Sequence, residues 1–183
     1  MENRLPTIIG LHSPAQQSGK STVAAFIAQE YRGEVRSIAG GIRDVAICMG
    51  MPAAAHAQGD AKERPCEQLG GRTPRAVLIS IGNAIRDIFG PDVWVRKLLG
   101  EVTRDYRPGD LVIIDDVRLP CEGEAILALG GKVVTITRSA AAGNHDEVNG
   151  FVPIVTVSND GTVEECATAV WHAAFREGER RDG

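Results

Sequence analysis

Apolar residues along this chain fall into two alternating patterns. Short runs at Thr7–Leu11, Val35–Ile38, Leu111–Ile114, Lys132–Thr137 and Ile154–Val157 are bounded by small or polar residues, as in buried parallel strands. Between them the apolar positions recur every three or four residues, the helical period. From Lys20 to about Tyr31, Val23, Phe26, Ile27 and Tyr31 share one face. A second helix is predicted from about Gly41 to Met49. A third runs from Pro74 to about Phe89, with Thr73 as its cap and Ile81, Ile85 and Ile88 turned inward. Asp92 to Tyr106 follows, carrying Val95, Leu98, Leu99 and Val102, and Pro108-Gly109 ends it. Glu122 to Leu129 is stopped by Gly130-Gly131. The last helix shows an apolar stripe of Val163, Cys166, Ala167, Val170, Trp171, Ala174 and Phe175, with Asp160 or Thr162 as cap.

Strands alternating with helices predict an α/β fold, a three-layer sandwich around a mostly parallel central sheet. Neither a repeat nor a linker is visible, so residues 1–183 are read as a single domain. Residues 50–73, rich in Gly, Pro, Ala and charge, keep no period and predict a mobile, lid-like loop.

Composition narrows the partners. The chain has 183 residues, 43% hydrophobic and 24% charged, with net charge −4. Such a balance speaks against a general nucleic-acid or anionic-membrane surface, both of which need a positive field. Sixteen of the 20 basic residues are Arg, which forks a phosphate with paired hydrogen bonds; a compositional bias of the genome accounts for the same count. The four cysteines, Cys48, Cys66, Cys121 and Cys166, are scattered, with neither metal-type spacing nor a disulfide framework. No stretch approaches the ~20 apolar residues of a membrane span. These features predict a soluble protein of a reducing cytoplasm.

Candidate chemistry begins after the first run. In "GLHSPAQQSGKSTVAAFI" the pattern G-x-x-x-x-G-K-[ST] is met except that Pro14 stands at its first glycine. The triplet Gly19-Lys20-Ser21 is weak by itself. Its position, between a buried strand and an amphipathic helix, is what points to an anion cradle of backbone N–H groups at a helix N-terminus. Gln16, Gln17, Ser18, Gly19, Lys20, Ser21 and Thr22 are the expected nucleotide-binding residues. Lys20 would reach the terminal phosphates and Ser21 would ligate Mg²⁺. The alternative is a capped helix start with a solvated lysine. Proline has no N–H and cannot take a positive φ, so the loop entrance is expected to be altered and catalytic loss stays open.

"LVIIDD" ends a buried strand in acid, where parallel sheets face their ligand crevice. Asp115 or Asp116 would hold Mg²⁺ through water or orient an acceptor; the alternative is an acidic turn capping the next helix. Arg118 would pair with Asp116 or meet a phosphate. Arg43, Arg75 and Arg86 lie on predicted helices, and they make a phosphate pocket only if several converge.

Beyond these residues, the chain resembles the phage-type deoxynucleoside monophosphate kinases, a branch of the phosphate-loop kinases. The resemblance runs in order through "SGKST", "KERP", "TPRAVLISIGNAIRDIFGPDVWV", "VIIDDVRLPCEGEAILALGGKVVTITR", "HDEVNG" and "VSNDGTVEE". It implies transfer of the ATP γ-phosphoryl group to a deoxynucleoside monophosphate with Mg²⁺, in a host cytoplasm if a phage encodes the chain; the sequence leaves oligomeric state open, a homodimer included. By position, Lys20, Arg86, Asp116 and Arg118 would be catalytic. Arg43, Lys62, Arg64, Arg75, Arg86 and Arg118 would bind the acceptor, and Ser21, Asp115 and Asp116 the metal. Lys62 and Arg64 would ride a segment that closes over the reactants.

Several residues depart from the family pattern: Pro14, Gly40-Gly41 in place of an Asp-Pro pair, and Leu119 and Cys121 after "DVR". His145 and Glu147 form a His-x-Glu pair, one residue shorter than the related segment. His12, His56 and His172 are read as structural or solvated. Two rivals remain, a small-molecule kinase such as one acting on dephospho-coenzyme A, and a nucleotide-binding module without turnover.

Overall fold

The computed structural model describes residues 5–15, 17–52, 59–140 and 155–175. Gln16, His56, His145 and Glu147 lie outside the described residues. Five strands form one sheet: β1 (Thr7–His12), β2 (Glu34–Arg36), β3 (Leu111–Val117), β4 (Lys132–Thr137) and β5 (Val155–Ser158). Their order is β2-β3-β1-β4-β5 and every pairing is parallel, so the sheet expected to be mostly parallel is parallel throughout.

The chain divides into two compact units, residues 1–37 with 99–183, and residues 38–98. The first holds the sheet. Its strands run β-branched because both faces are covered, and period-2 alternation sends neighbouring residues to opposite faces. On one face Ile9, Leu11, Ile113, Val134 and Ile136 pack against Val23, Ala24 and Ile27 of α1 (Lys20–Glu30) and Cys166, Ala167 and Val170 of α6 (Val163–Phe175). Tyr31 stacks flat on Trp171 with ring centroids 3.6 Å apart, which closes the outer end of that layer. The N-terminus of α6 is a capping box in which Glu165 N–H donates to Thr162 Oγ1 and Thr162 N–H to the Glu165 carboxylate. Of the two candidate caps, Thr162 is the one used.

On the opposite face α5 (Pro120–Ala128) lies against β1. Gly10 permits this approach, since a Cβ there would stand 2.9 Å from Ile126 Cδ1 and 3.0 Å from Val117 Cγ2.

The second unit contains α2 (Ala39–Cys48), 3₁₀ turns at Gly59–Glu63 and Glu67–Leu69, α3 (Pro74–Phe89) and the first part of α4 (Val93–Asp105), which continues into the first unit. Its core gathers Ala46 and Met51 with Leu69, Val77, Leu78 and Ile81. Thr73 caps α3 as expected, its hydroxyl accepting from Ala76 N–H at 3.2 Å, and Pro74 fills the first turn.

Some boundaries moved. Ile38, expected at the end of a strand, takes helical angles and opens α2, so β2 is Glu34–Arg36. Helix α5 begins at Pro120, two residues before the expected start, because proline suits a first turn and Glu122 caps from within. Ile88 was expected inward but is 69% exposed. The core of the second unit packs on the first half of α3, so the last turn carries Ile88 and Phe89 outward. Within residues 50–73 the two 3₁₀ turns and a bridge between Cys66 and Arg72 give local order. Among the described residues no helix is long and apolar enough to cross a membrane.

Gly10→Val should lower stability by about 1–3 kcal/mol, the usual cost of overpacking. A urea titration checks this, with the midpoint falling and the slope unchanged.

Candidate active site

In a parallel sheet the ligand crevice opens beyond the strand C-termini, at the point where strand order reverses. Here that point is the end of β1, flanked by β3 and β4. His12 closes β1 as a buried residue, with its Nδ1 3.0 Å from Thr135 Oγ1 of β4. The loop that follows has two halves.

Its entrance is sealed on itself. Pro14 has no N–H, and Ala15 N–H donates to the buried Ser13 hydroxyl at 3.2 Å. The first two positions of the loop therefore offer an anion nothing. The second half is built differently. Gln17 and Gly19 take positive φ angles of 58° and 85°. Gly19 then opens α1 with no side chain capping it. The first-turn N–H groups of a helix lack intrahelical acceptors and carry the positive end of its dipole. Ser18 is buried, and its hydroxyl has no hydrogen-bond partner among the described residues. These features fit the polyphosphate tail of a nucleotide, which brings acceptor oxygens and needs a side-chain-free approach.

Lys20 is the first residue of α1 and half-buried. Burial, then the nearby Arg118 guanidinium, lowers its ammonium to about 8, while Asp115 and Asp116 oppose the shift. Two cations thus stand close enough to repel each other at a helix N-terminus, so the position favours an anion.

The two aspartates are separated by a bulge. Along β1–β3 the register passes from Gly10↔Ile114 to His12↔Val117, so β3 carries one extra residue at Asp115-Asp116. Ser21 Oγ donates to Asp115 Oδ2 at 2.7 Å, and Ser37 Oγ donates to Asp116 Oδ2 at 2.7 Å. Each carboxylate is held by its own serine. Among the described residues no group of three or more His, Cys, Asp or Glu gathers as a metal cage. Mg²⁺ does not need one, since it keeps several waters and takes one or two protein oxygens plus phosphate. Ser21 and Asp115 are a donor set of that kind.

Arg118 is exposed just past β3, and its backbone is anchored. The buried Glu122 carboxylate accepts from Arg118 N–H at 2.8 Å and Leu119 N–H at 2.9 Å. A carboxylate at the third position of α5 also suits the helix dipole. The acidic segment of β3 is therefore not the cap of α5; Glu122 is.

Of the residues singled out in the sequence, Lys20, Ser21, Asp115, Asp116 and Arg118 all lie in the first unit, where their charges and hydrogen bonds meet. Ser18 and Gly19 belong to the same loop, while Gln17 and Thr22 expose their side chains. Arg43, Lys62, Arg64, Arg75 and Arg86 belong to the second unit. There Arg75 is ion-paired with Glu63 and Arg86 Nη1 donates to Asn83 Oδ1 at 3.2 Å. Ser37, Glu122 and Asn159 were missed as site residues. Ser37 follows a three-residue strand and Glu122 looks like an ordinary helix residue, though Glu three positions after a helix start is a capping signal. Asn159 lies within the matched segment "VSNDGTVEE", where Asn-Asp suits a turn and helix cap more than a nucleotide contact, yet its Nδ2 donates to Ser18 O at 2.7 Å.

No family model matches the chain, and no curated protein matches it. Solved structures do match. The APS kinase of Mycobacterium tuberculosis, solved in complex with AMPPNP and APS, is 12% identical, covering 93% of this chain and 97% of its own with a TM-score of 0.51. TT1252 from Thermus thermophilus is 20% identical, covering 93% of this chain and 98% of its own with a TM-score of 0.51. At these identities the likeness is one of fold. The chain shares its α/β fold with these two structures.

Lys20 also makes a test that needs no ligand. The folded chain gives up this proton near pH 8 and the unfolded chain near 10.5. Below about 8 the folded state carries the cost of a half-buried ammonium beside Arg118, and between these values stability rises with pH. Lys20→Met should be more stable than the parent at pH 7. It should also lose that rise, as read from urea midpoints between pH 7 and 10.

Proposed function

We propose that this chain is a kinase that transfers the γ-phosphoryl group of ATP to a deoxynucleoside monophosphate. The observation that carries the reading is the juxtaposition of Lys20 and Arg118 with the Ser21–Asp115 pair at the head of α1. The family resemblance supplies the acceptor class. In the reaction an oxygen of the acceptor phosphate attacks the γ-phosphorus. The bond to the β–γ bridging oxygen breaks, and ADP leaves with that electron pair.

Backbone N–H groups of Ser18 to Thr22 would cradle the ATP phosphates. Lys20 would neutralise charge on the β and γ oxygens, and Arg118 the charge of the group in transfer. Ser21 and Asp115 would hold Mg²⁺, which would supply positive charge to neutralise charge developing on the phosphates. Asp116, fixed by Ser37, would orient the acceptor. The family resemblance would give Arg43, Lys62, Arg64, Arg75 and Arg86 to binding of the acceptor phosphate.

A second reading, a nucleotide-binding module without turnover, is favoured by one observation. The loop entrance at Ser13–Ala15 is closed on itself, so the cradle has fewer donors than a full phosphate loop.

An ADP-release screen across the four deoxynucleoside monophosphates and dephospho-coenzyme A decides among these. The kinase reading expects ADP only when a particular deoxynucleoside monophosphate is present, and Lys20→Ala should cut the rate by about 10²–10³-fold. Release with dephospho-coenzyme A alone would move the chain to that reaction. ATP-induced thermal stabilisation without turnover for any acceptor would make it a binding module. Within the kinase reading, Arg86→Ala should raise KM for the acceptor about tenfold or more while leaving KM for ATP unchanged. An equal rise in both would remove Arg86 from the acceptor site.

A further inference from the structure

The loop after β5 sends one buried side chain back onto the phosphate loop. Asn159 is 5% exposed and Ser18 is 1% exposed, and they meet across 141 residues of sequence through Asn159 Nδ2 donating to Ser18 O at 2.7 Å. A carbonyl only accepts, so only the amide nitrogen of Asn159 can face it. The side chain starts from a rigid base, because Asn159 N–H donates to Thr137 O at 2.7 Å. That bond carries the β4–β5 ladder one step past its last pair, Thr137 with Ser158. The neighbouring Asp160 carboxylate accepts from Ser139 N–H and from the Ser139 and Ser158 hydroxyls, which anchors the same turn a second time.

The carbonyl that Asn159 holds belongs to the Ser18–Gly19 peptide. In a trans peptide the C=O and the following N–H point in opposite directions within one plane. Fixing the Ser18 oxygen therefore aims the Gly19 N–H, the donor next to Lys20. Gly19 is left-handed at φ 85°, and a Cβ on it would come within 2.4 Å of Asn159 Nδ2. Glycine at 19 and asparagine at 159 are thus fitted to each other. With Pro14 and Ala15 giving the loop no donors, the orientation of this peptide governs a larger share of the cradle than it would in a loop with an open entrance.

The geometry points to Asn159 as a positioning residue for the nucleotide phosphates, one that fixes the Ser18–Gly19 peptide plane from the end of the sheet. What the loop holds rests on the kinase reading; the latch itself does not.

Two arms keep the two ideas apart. The first is amide hydrogen exchange on the free protein, comparing the parent with Asn159→Ala and with the isosteric Asn159→Asp, which places a carboxylate oxygen against the carbonyl. Exchange at Val23 and Ala24, the first hydrogen-bonded amides of α1 (Val23 N–H donates to Gly19 O), should quicken about tenfold or more in both, with α6 and the sheet unchanged. Unchanged exchange at those amides overturns the inference, and so does a uniform quickening across the whole fold, which would mark an ordinary stabilising contact. The second arm is calorimetric binding of Mg·ADP. If the parent binds and both variants lose about tenfold or more in affinity, the latch serves the nucleotide. If the parent binds and the variants bind equally well, the positioning role is overturned. If the parent binds no Mg·ADP, the nucleotide role and the kinase reading fall together, and the exchange arm still decides whether the latch exists.

Discussion

Lys20 and Arg118 stand close enough to repel each other at the head of α1, where the helix adds further positive potential. Nothing in the packing of the core asks for this arrangement. Moving the Lys20 ammonium out to the surface would relieve it, so the fold maintains a local cost that a bound anion would offset further. Most of the site can be understood as the means by which the chain sustains that cost. The sheet sets the origin of β1 and β3, the carboxylates of Asp115 and Asp116 partly oppose the repulsion, and Glu122 pins the backbone from which Arg118 projects.

The bulge in β3 explains how two consecutive aspartates serve two different partners. An unbroken strand would send Asp115 and Asp116 to opposite faces of the sheet, one of them away from the loop. The extra residue between the pairs Gly10↔Ile114 and His12↔Val117 twists the strand end. Asp115 then meets Ser21 of α1 and Asp116 meets Ser37 beyond β2. One feature of the backbone thereby gives the site two carboxylates with separate duties, instead of one shared by all its cations.

The parts legible in the sequence are those set by local rules. Leu111–Ile114 had to be a buried strand, since four consecutive apolar residues ending in acid suit a parallel sheet covered on both faces. Thr73-Pro74 had to open a helix, because the cap and the first-turn proline act within four residues. The misses are those that depend on distant partners. Ile88 has the helical spacing of a core residue, and only the extent of the second unit's core leaves it exposed. Ser37 acquires its role by lying beside β3, and Asn159 by facing a loop 141 residues away. The division between the compact units falls inside α4, between Leu98 and Leu99, where the apolar period runs on and no change of composition marks it.

Proline at position 14 is the clearest conflict between motif and structure, and its resolution is physical. A first glycine in this loop type serves a tight turn and an open backbone. Here the turn is made another way, with the Ser13 hydroxyl accepting from Ala15 N–H in place of a bond that proline cannot donate. The conformational freedom forgone at 14 reappears three residues later, where Gln17 adopts φ 58°, an angle that is uncommon for a residue with a side chain. Among the described loop residues the left-handed backbone falls at Gln17 and Gly19, directly before α1. A loop of this kind has a stiff entrance and a short working half. Its performance depends on how firmly that half is held, which is why a buried amide reaching in from β5 has more consequence here than a single neutral hydrogen bond would have elsewhere.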